Sequence, residues 1–122
     1  MTLKELYDAI GGDYDRAIQV LRMEKLMDKH IRRLPDNDIF AALFAAGQTM
    51  DAQGLFESAH AIKGVCANLG LTNLADLASE ISEEFRPGTP RTLTDEQVGE
   101  RVRKIEETFR RASDLIREYA AP

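Results

Sequence analysis

Residues 51–70 read DAQGLFESAHAIKGVCANLG, and this stretch decides the fold. A helix turns about 100° per residue, so the side of each residue follows from its number. Leu55, Ala59, Ile62, Val65, Cys66 and Leu69 gather on one side. Gln53, Phe56, Glu57, His60, Lys63, Gly64 and Ala67 gather on the other. Asp51 is a candidate N-cap and Gly70 a candidate C-terminal glycine. An amphipathic helix of this kind must bury its apolar face against other helices, so the expectation is a helical bundle.

Working outward, the same periodicity recurs. Thr2 with Glu5 reads as a capping box opening a short helix with Leu3, Leu6, Tyr7 and Ile10 on one side, ended by Gly11-Gly12. Asp13 caps a second short element holding Ala17, Ile18 and Leu21. Met23, Met27, Ile31 and Leu34 define a third, closed by Pro35. Asp36 or Asn37 can cap a helix with Ile39, Leu43, Phe44 and Met50. Beyond Gly70, Thr72 or Asn73 opens a helix with Leu74, Leu77, Ala78, Ile81 and Phe85. Arg86-Pro87-Gly88-Thr89-Pro90 is a breaker-rich loop, and Thr94 with Gln97 forms another capping box. Val98, Val102, Ile105, Phe109, Ala112, Ile116 and Tyr119 then alternate spacings of four and three. The fold expected is all-α: an antiparallel four-helix bundle whose long helices begin near Asp38, Asp51, Asn73 and Asp95. It forms one domain, 1–122, with short helices over about 1–35 capping or wrapping a bundle over about 37–120.

Composition narrows the function. Charged residues make up 30% and apolar ones 43%, which fits a globular chain rather than a disordered one. No apolar run is long enough to span a membrane, and Met1-Thr2-Leu3-Lys4-Glu5 lacks a signal-peptide core, so a cytoplasmic protein without membrane partners is expected. The net charge of −5 disfavours nucleic acid. Arg101, Arg103, Lys104, Arg110 and Arg111 alternate with Glu100, Glu106 and Glu107, the pattern of a solvated helix face. Cys66, the one cysteine, falls on an apolar face and reads as a buried thiol; with only two histidines at no metal spacing, no metal site is expected.

His60 is the side chain with chemistry to offer. It stands on the polar side of its helix, with Lys63 and Gly64 on the next turn. A neutral imidazole nitrogen is nucleophilic near neutral pH, and the phosphoramidate it forms can pass its phosphoryl group to a carboxylate. The Lys63 ammonium can offset phosphoryl charge, Gly64 leaves clearance, and Phe56 and Ala67 offer an apolar rim.

The run His60-Ala61-Ile62-Lys63-Gly64-Val65-Cys66-Ala67-Asn68-Leu69-Gly70 resembles the signature of histidine-containing phosphotransfer (HPt) domains. In that family a histidine is followed by Lys-Gly at the third and fourth positions and by Leu-Gly before the next helix. Leu71, Leu74 and Leu77 continue the pattern. The resemblance covers about 1–85, since the opening ending in Gly11-Gly12-Asp13 is similar to free-standing bacterial members; the last segment matches only in being helical and amphipathic. The resemblance implies a phosphoryl carrier of a two-component phosphorelay, with His60 as phosphoacceptor. Lys63 then gives charge support, Gly64 clearance, and Gln53, Phe56, Glu57 and Ala67 a partner surface. The implied partners are a response-regulator receiver domain, which brings the Mg²⁺, and a hybrid sensor kinase. The chain itself would act as a monomer without cofactor, ATP site or autokinase activity. His30 departs from the family, where an aromatic residue is frequent, and its neighbours Leu26, Met27, Ile31 and Leu34 suggest a half-buried or interfacial position rather than a second phosphoacceptor. Two other readings compete: the dimerisation and phosphoacceptor region of a sensor kinase, which usually has an acidic residue where Ala61 stands, and a helical adaptor or inhibitor that binds without transfer.

Overall fold

Seven α-helices and one 3₁₀ turn account for the ordered chain in a computed structural model describing all residues, Met1–Pro122. They are α1 (Leu3–Ile10), α2 (Tyr14–Leu21), α3 (Glu24–Arg33), η1 (Leu34–Asp36), α4 (Ile39–Thr49), α5 (Ala52–Asn68), α6 (Thr72–Glu84) and α7 (Asp95–Ala120). Each long helix packs on the next, and α7 returns to pack on α4, closing an all-α four-helix bundle. Short connections at Met50-Asp51 and at Leu69–Leu71 make α4, α5 and α6 antiparallel neighbours. At 1.5 Å per residue α7 is about 39 Å long and outreaches its bundle partners. Its far end, with Ala112 and Ile116 buried, is covered by the N-terminal elements: α1, α3 and η1 all pack on α7.

One continuous core of 27 buried apolar residues runs through every helix. Phe40 of α4 and Phe109 of α7 stack at 3.9 Å between ring centroids, with Phe44 tilted against Phe109 at 6.3 Å. At the C-terminal end of α3, Tyr119 donates its hydroxyl to Asp28 at 2.5 Å and lies under the Arg32 guanidinium.

The C-terminal end of α5 is latched from two directions. The buried Tyr7 hydroxyl donates to the Leu69 carbonyl at 2.8 Å, satisfying an acceptor that a helix end leaves open, and burial raises the phenol's pKa. Gly70 has φ +71°, and a Cβ there would overlap the Asp13 carbonyl oxygen, so this position needs glycine twice over. The Asp13 amide in turn donates to the Gly70 carbonyl at 2.7 Å.

The α6–α7 connection is organised by a buried acid. Glu84 accepts from the amides of Thr92 (2.9 Å) and Leu93 (2.7 Å), the Thr92 hydroxyl (2.7 Å) and Arg91 Nε (3.1 Å). Burial disfavours its charge, but these donors together outweigh that and bring its pKa down to about 2.

The capping boxes at Thr2/Glu5 and Thr94/Gln97 form, as does the Asp13 cap. Two local expectations need correction. Met23 is 51% exposed, because the chain is extended there (φ −146°, ψ 144°) and α3 begins one residue later, outside the stripe that turns Met27 and Ile31 inward. His30 is exposed rather than half-buried, since it precedes inward-facing Ile31 by one residue and so points about 100° away from it. Thr72 opens α6 as expected, with Leu71 at the N-cap position, where its carbonyl accepts from the Ala75 amide. Of the two caps expected for α4, Asn37 serves: its Oδ1 accepts the Ile39 amide at 3.1 Å, while Asp38 occupies the N-cap position without a side-chain bond. Asp51 does sit at the N-cap of α5, although its side chain makes no capping bond.

Candidate functional site

The outer side of α5 collects the residues that the helical register assigns to it. His60 is exposed, and its imidazole lies nearly parallel to the Phe56 ring one turn earlier, 5.7 Å between centroids and 17° between planes. Phe56 is half-buried against the core, so one edge of the histidine rests on a fixed apolar surface while the rest faces solvent. Inward, Leu55, Ala59, Ile62 and Cys66 are fully buried and hold the helix in this rotation. Burial pushes the Cys66 thiol up to about 12, which leaves it a packing residue rather than a nucleophile.

Lys63, half-buried one turn after His60, makes no ion pair. Neither Glu57 nor Glu84 pairs with it. Glu57 accepts from Gln53 Nε2 at 2.9 Å, and Glu84 is turned into the loop before α7. The ammonium is therefore available to an incoming anion on the His60 side.

Gly64 is the sharpest feature of the surface. A Cβ placed there would meet nothing within 4 Å, so the glycine is not needed for helix packing. Glycine in a helix interior is less stable than alanine by about 1 kcal/mol, and the fold gains nothing in exchange at this position. What remains is open space one turn beyond the imidazole. Gln53 and Glu57 are exposed on the same side, and Ala67 is half-buried further along it.

One part of the surface escaped the reading of the sequence. Ile39, Ala42, Ala45 and Ala46 of α4 face Gly54, Ser58 and Ala61 of α5 across an open groove of about 480 Å³ that also touches Glu57. Ala41, Ala42 and Ala45 are exposed. The signal was present in IFAALFAAGQT, which has no charged residue from Ile39 to Thr49 and so presents an apolar outer face in any rotation. No group of three or more histidine, cysteine or acidic side chains is placed to hold a metal ion, and no helix is long and apolar enough to cross a membrane.

The outer face of α5 in this all-helical bundle thus carries an exposed histidine with a lysine and an open glycine on its next turn. The family model of the Hpt domain matches residues 19–118, and the chain belongs to the Hpt domain family, whose members are phosphocarrier modules of two-component systems rather than kinases. The match continues to residue 118, through most of α7, where the motif-based resemblance ended near Phe85, and it begins only within α2. Searches of the curated proteins and of the solved structures returned no match.

Proposed function

We propose that this protein carries a phosphoryl group on His60, exchanging it with the phosphorylated aspartate of a response-regulator receiver domain. The observation that supports this reading most is the open volume at Gly64 beside an exposed imidazole braced on Phe56. A ring nitrogen of the neutral imidazole attacks phosphorus. The N–P bond forms as the O–P bond of the acyl phosphate breaks, the carboxylate leaves with the electron pair, and the ring releases its other N–H proton to solvent. Lys63 offsets charge on the phosphoryl oxygens, and Gly64 admits them together with the partner. The receiver supplies the Mg²⁺; this chain's contribution is the nucleophile, its orientation and the space around it.

The receiver docks over Gln53, Phe56, Glu57 and Ala67, and the uncharged outer face of α4 extends that surface. The chain acts as a cytoplasmic monomer, and a hybrid sensor kinase is the upstream source of phosphoryl groups. It has no Gly-rich nucleotide loop for ATP, so it depends on a partner for loading.

The test is incubation of the protein with a phosphorylated receiver and Mg²⁺, followed by acid-labile, alkali-stable phosphate on this chain. His60→Gln is expected to abolish labelling. Full labelling of that variant would overturn the assignment, and binding of the receiver without any exchange would favour an adaptor.

A further inference from the structure

Helix α3 carries charge that neither the fold nor the His60 face uses. Lys25, Lys29 and Arg33 follow at four-residue steps and so stand in one row, with Arg22 just before the helix and His30 beside Arg33. All five are exposed, and Arg22, Lys25, Lys29 and Arg33 make no ion pair. The acids nearby are already engaged. Glu24 accepts from the Tyr14 hydroxyl at 2.7 Å, and Asp28 holds Arg32 at 2.9 Å and the Tyr119 hydroxyl. Like charges four residues apart oppose helix formation; the helix C-terminus offsets this at Arg33 but not at Lys25 and Lys29, in a chain whose net charge is −5. Arg22 adds a second strain, being a non-glycine residue at φ 73°. Two exposed apolar side chains, Val20 at 45% and Met23 at 51%, lie at the same end. Such a combination of unpaired cations and apolar anchors is unfavourable in isolation and is relieved by a complementary partner.

The geometry keeps this surface apart from His60. Behind α3 lie α2, η1 and α7, whereas α5 is backed by α4, α6 and α2. We propose that the outer face of α3 is a second docking surface, taking an acidic amphipathic segment of a partner polypeptide while the His60 face stays uncovered. Charge complementarity selects that partner: the row is only as long as a helix of about 15 Å, too short to neutralise an extended polyanion, and the rest of the chain is acidic. Two apolar side chains suit a notch on a protein better than a bilayer, which needs a continuous apolar face.

The experiment is an amide-resolved NMR titration of the full chain with a synthetic helical peptide of glutamate and leucine at low salt. Shifts are expected over Arg22–Arg33 and not over Phe56–Ala67, weakening as salt rises. Lys25→Glu with Lys29→Glu and Arg33→Glu should weaken binding by about tenfold or more, and the corresponding glutamine changes by less, with the helical circular dichroism unchanged. The proposal is overturned if α3 does not shift or if the charge-reversed variant binds equally. It is overturned too by a stronger α3 response to phosphatidylserine vesicles or a DNA duplex, or by sedimentation showing self-association through α3.

Discussion

Replacing Gly64 separates what the fold needs from what the site needs. A methyl group at this position meets no atom within 4 Å, so Gly64→Ala carries no steric penalty. It removes the backbone entropy that glycine loses in a helix, and α5 should gain about 0.5–1 kcal/mol. For a chain of 122 residues, with unfolding entropy of about 2.1 cal/mol/K per residue, that is a rise in Tm of about 3 °C. The same methyl group occupies the space beside His60, and transfer from the phosphorylated receiver should slow; Gly64→Gln, which fills more of it, should slow transfer further and leave stability near that of the alanine variant. Thermal unfolding followed by circular dichroism reads the first quantity, and single-turnover labelling of His60 reads the second. A variant that is more stable and slower supports clearance as the purpose of the glycine. A destabilised Gly64→Ala would mean that the glycine serves packing, and an undiminished rate in Gly64→Gln would refute the clearance argument outright.

Lys63→Ala should slow transfer by about tenfold while changing stability by less than about 0.5 kcal/mol, because its ammonium serves no partner in the folded chain; equal single-turnover rates would remove it from the mechanism. Ala45→Glu, on the exposed face of α4, should raise the receiver concentration giving half-maximal transfer and leave the maximal rate alone. An unchanged concentration dependence would take α4 out of the docking surface. Glu84→Gln should destabilise the fold by about 2–3 kcal/mol, measured by urea unfolding at neutral pH. Because the folded pKa is lowered to about 2 from 4.5, the ionised acid contributes about 3 kcal/mol that is fully present above pH 4.5 and lost as pH falls toward and through 2. Parallel acid-denaturation curves for the wild type and Glu84→Gln would contradict that linkage.

What could be read in the sequence was what depends on register alone. The side on which His60 sits follows from its spacing to Leu55, Ala59, Ile62 and Cys66, and all four are buried. Helix ends depend on one or two residues whose dihedrals are settled by tertiary contact, and there the reading slipped. Met23 continues the four-residue step of Met27 and Ile31, yet the turn at Arg22 releases the chain before the helix begins. His30 has apolar neighbours in sequence, but adjacency in a helix means separation by about 100°, not shared burial. Glu84 could not be anticipated at all, since its donors belong to a loop whose path no periodicity encodes. The α4 groove was missed for another reason: an uncharged helix gives no contrast between faces, so the wheel assigns none to solvent.

The distribution of fixed points explains how this bundle can keep an unconstrained surface. The end of α5 is tied by Tyr7 to Leu69 and by Asp13 to Gly70, the α6–α7 loop by Glu84, and the end of α7 by Tyr119 to Asp28. Between its ends, α5 is held only by its apolar face. Its outer side can therefore carry a glycine that weakens the helix and a lysine with no counter-ion. The glycine opposes stability and the lysine adds nothing to it, and both lie within one turn of the same imidazole. A surface serving the fold would have replaced them with alanine and an i,i+4 ion pair, which is why their position argues for a partner that arrives with negative charge.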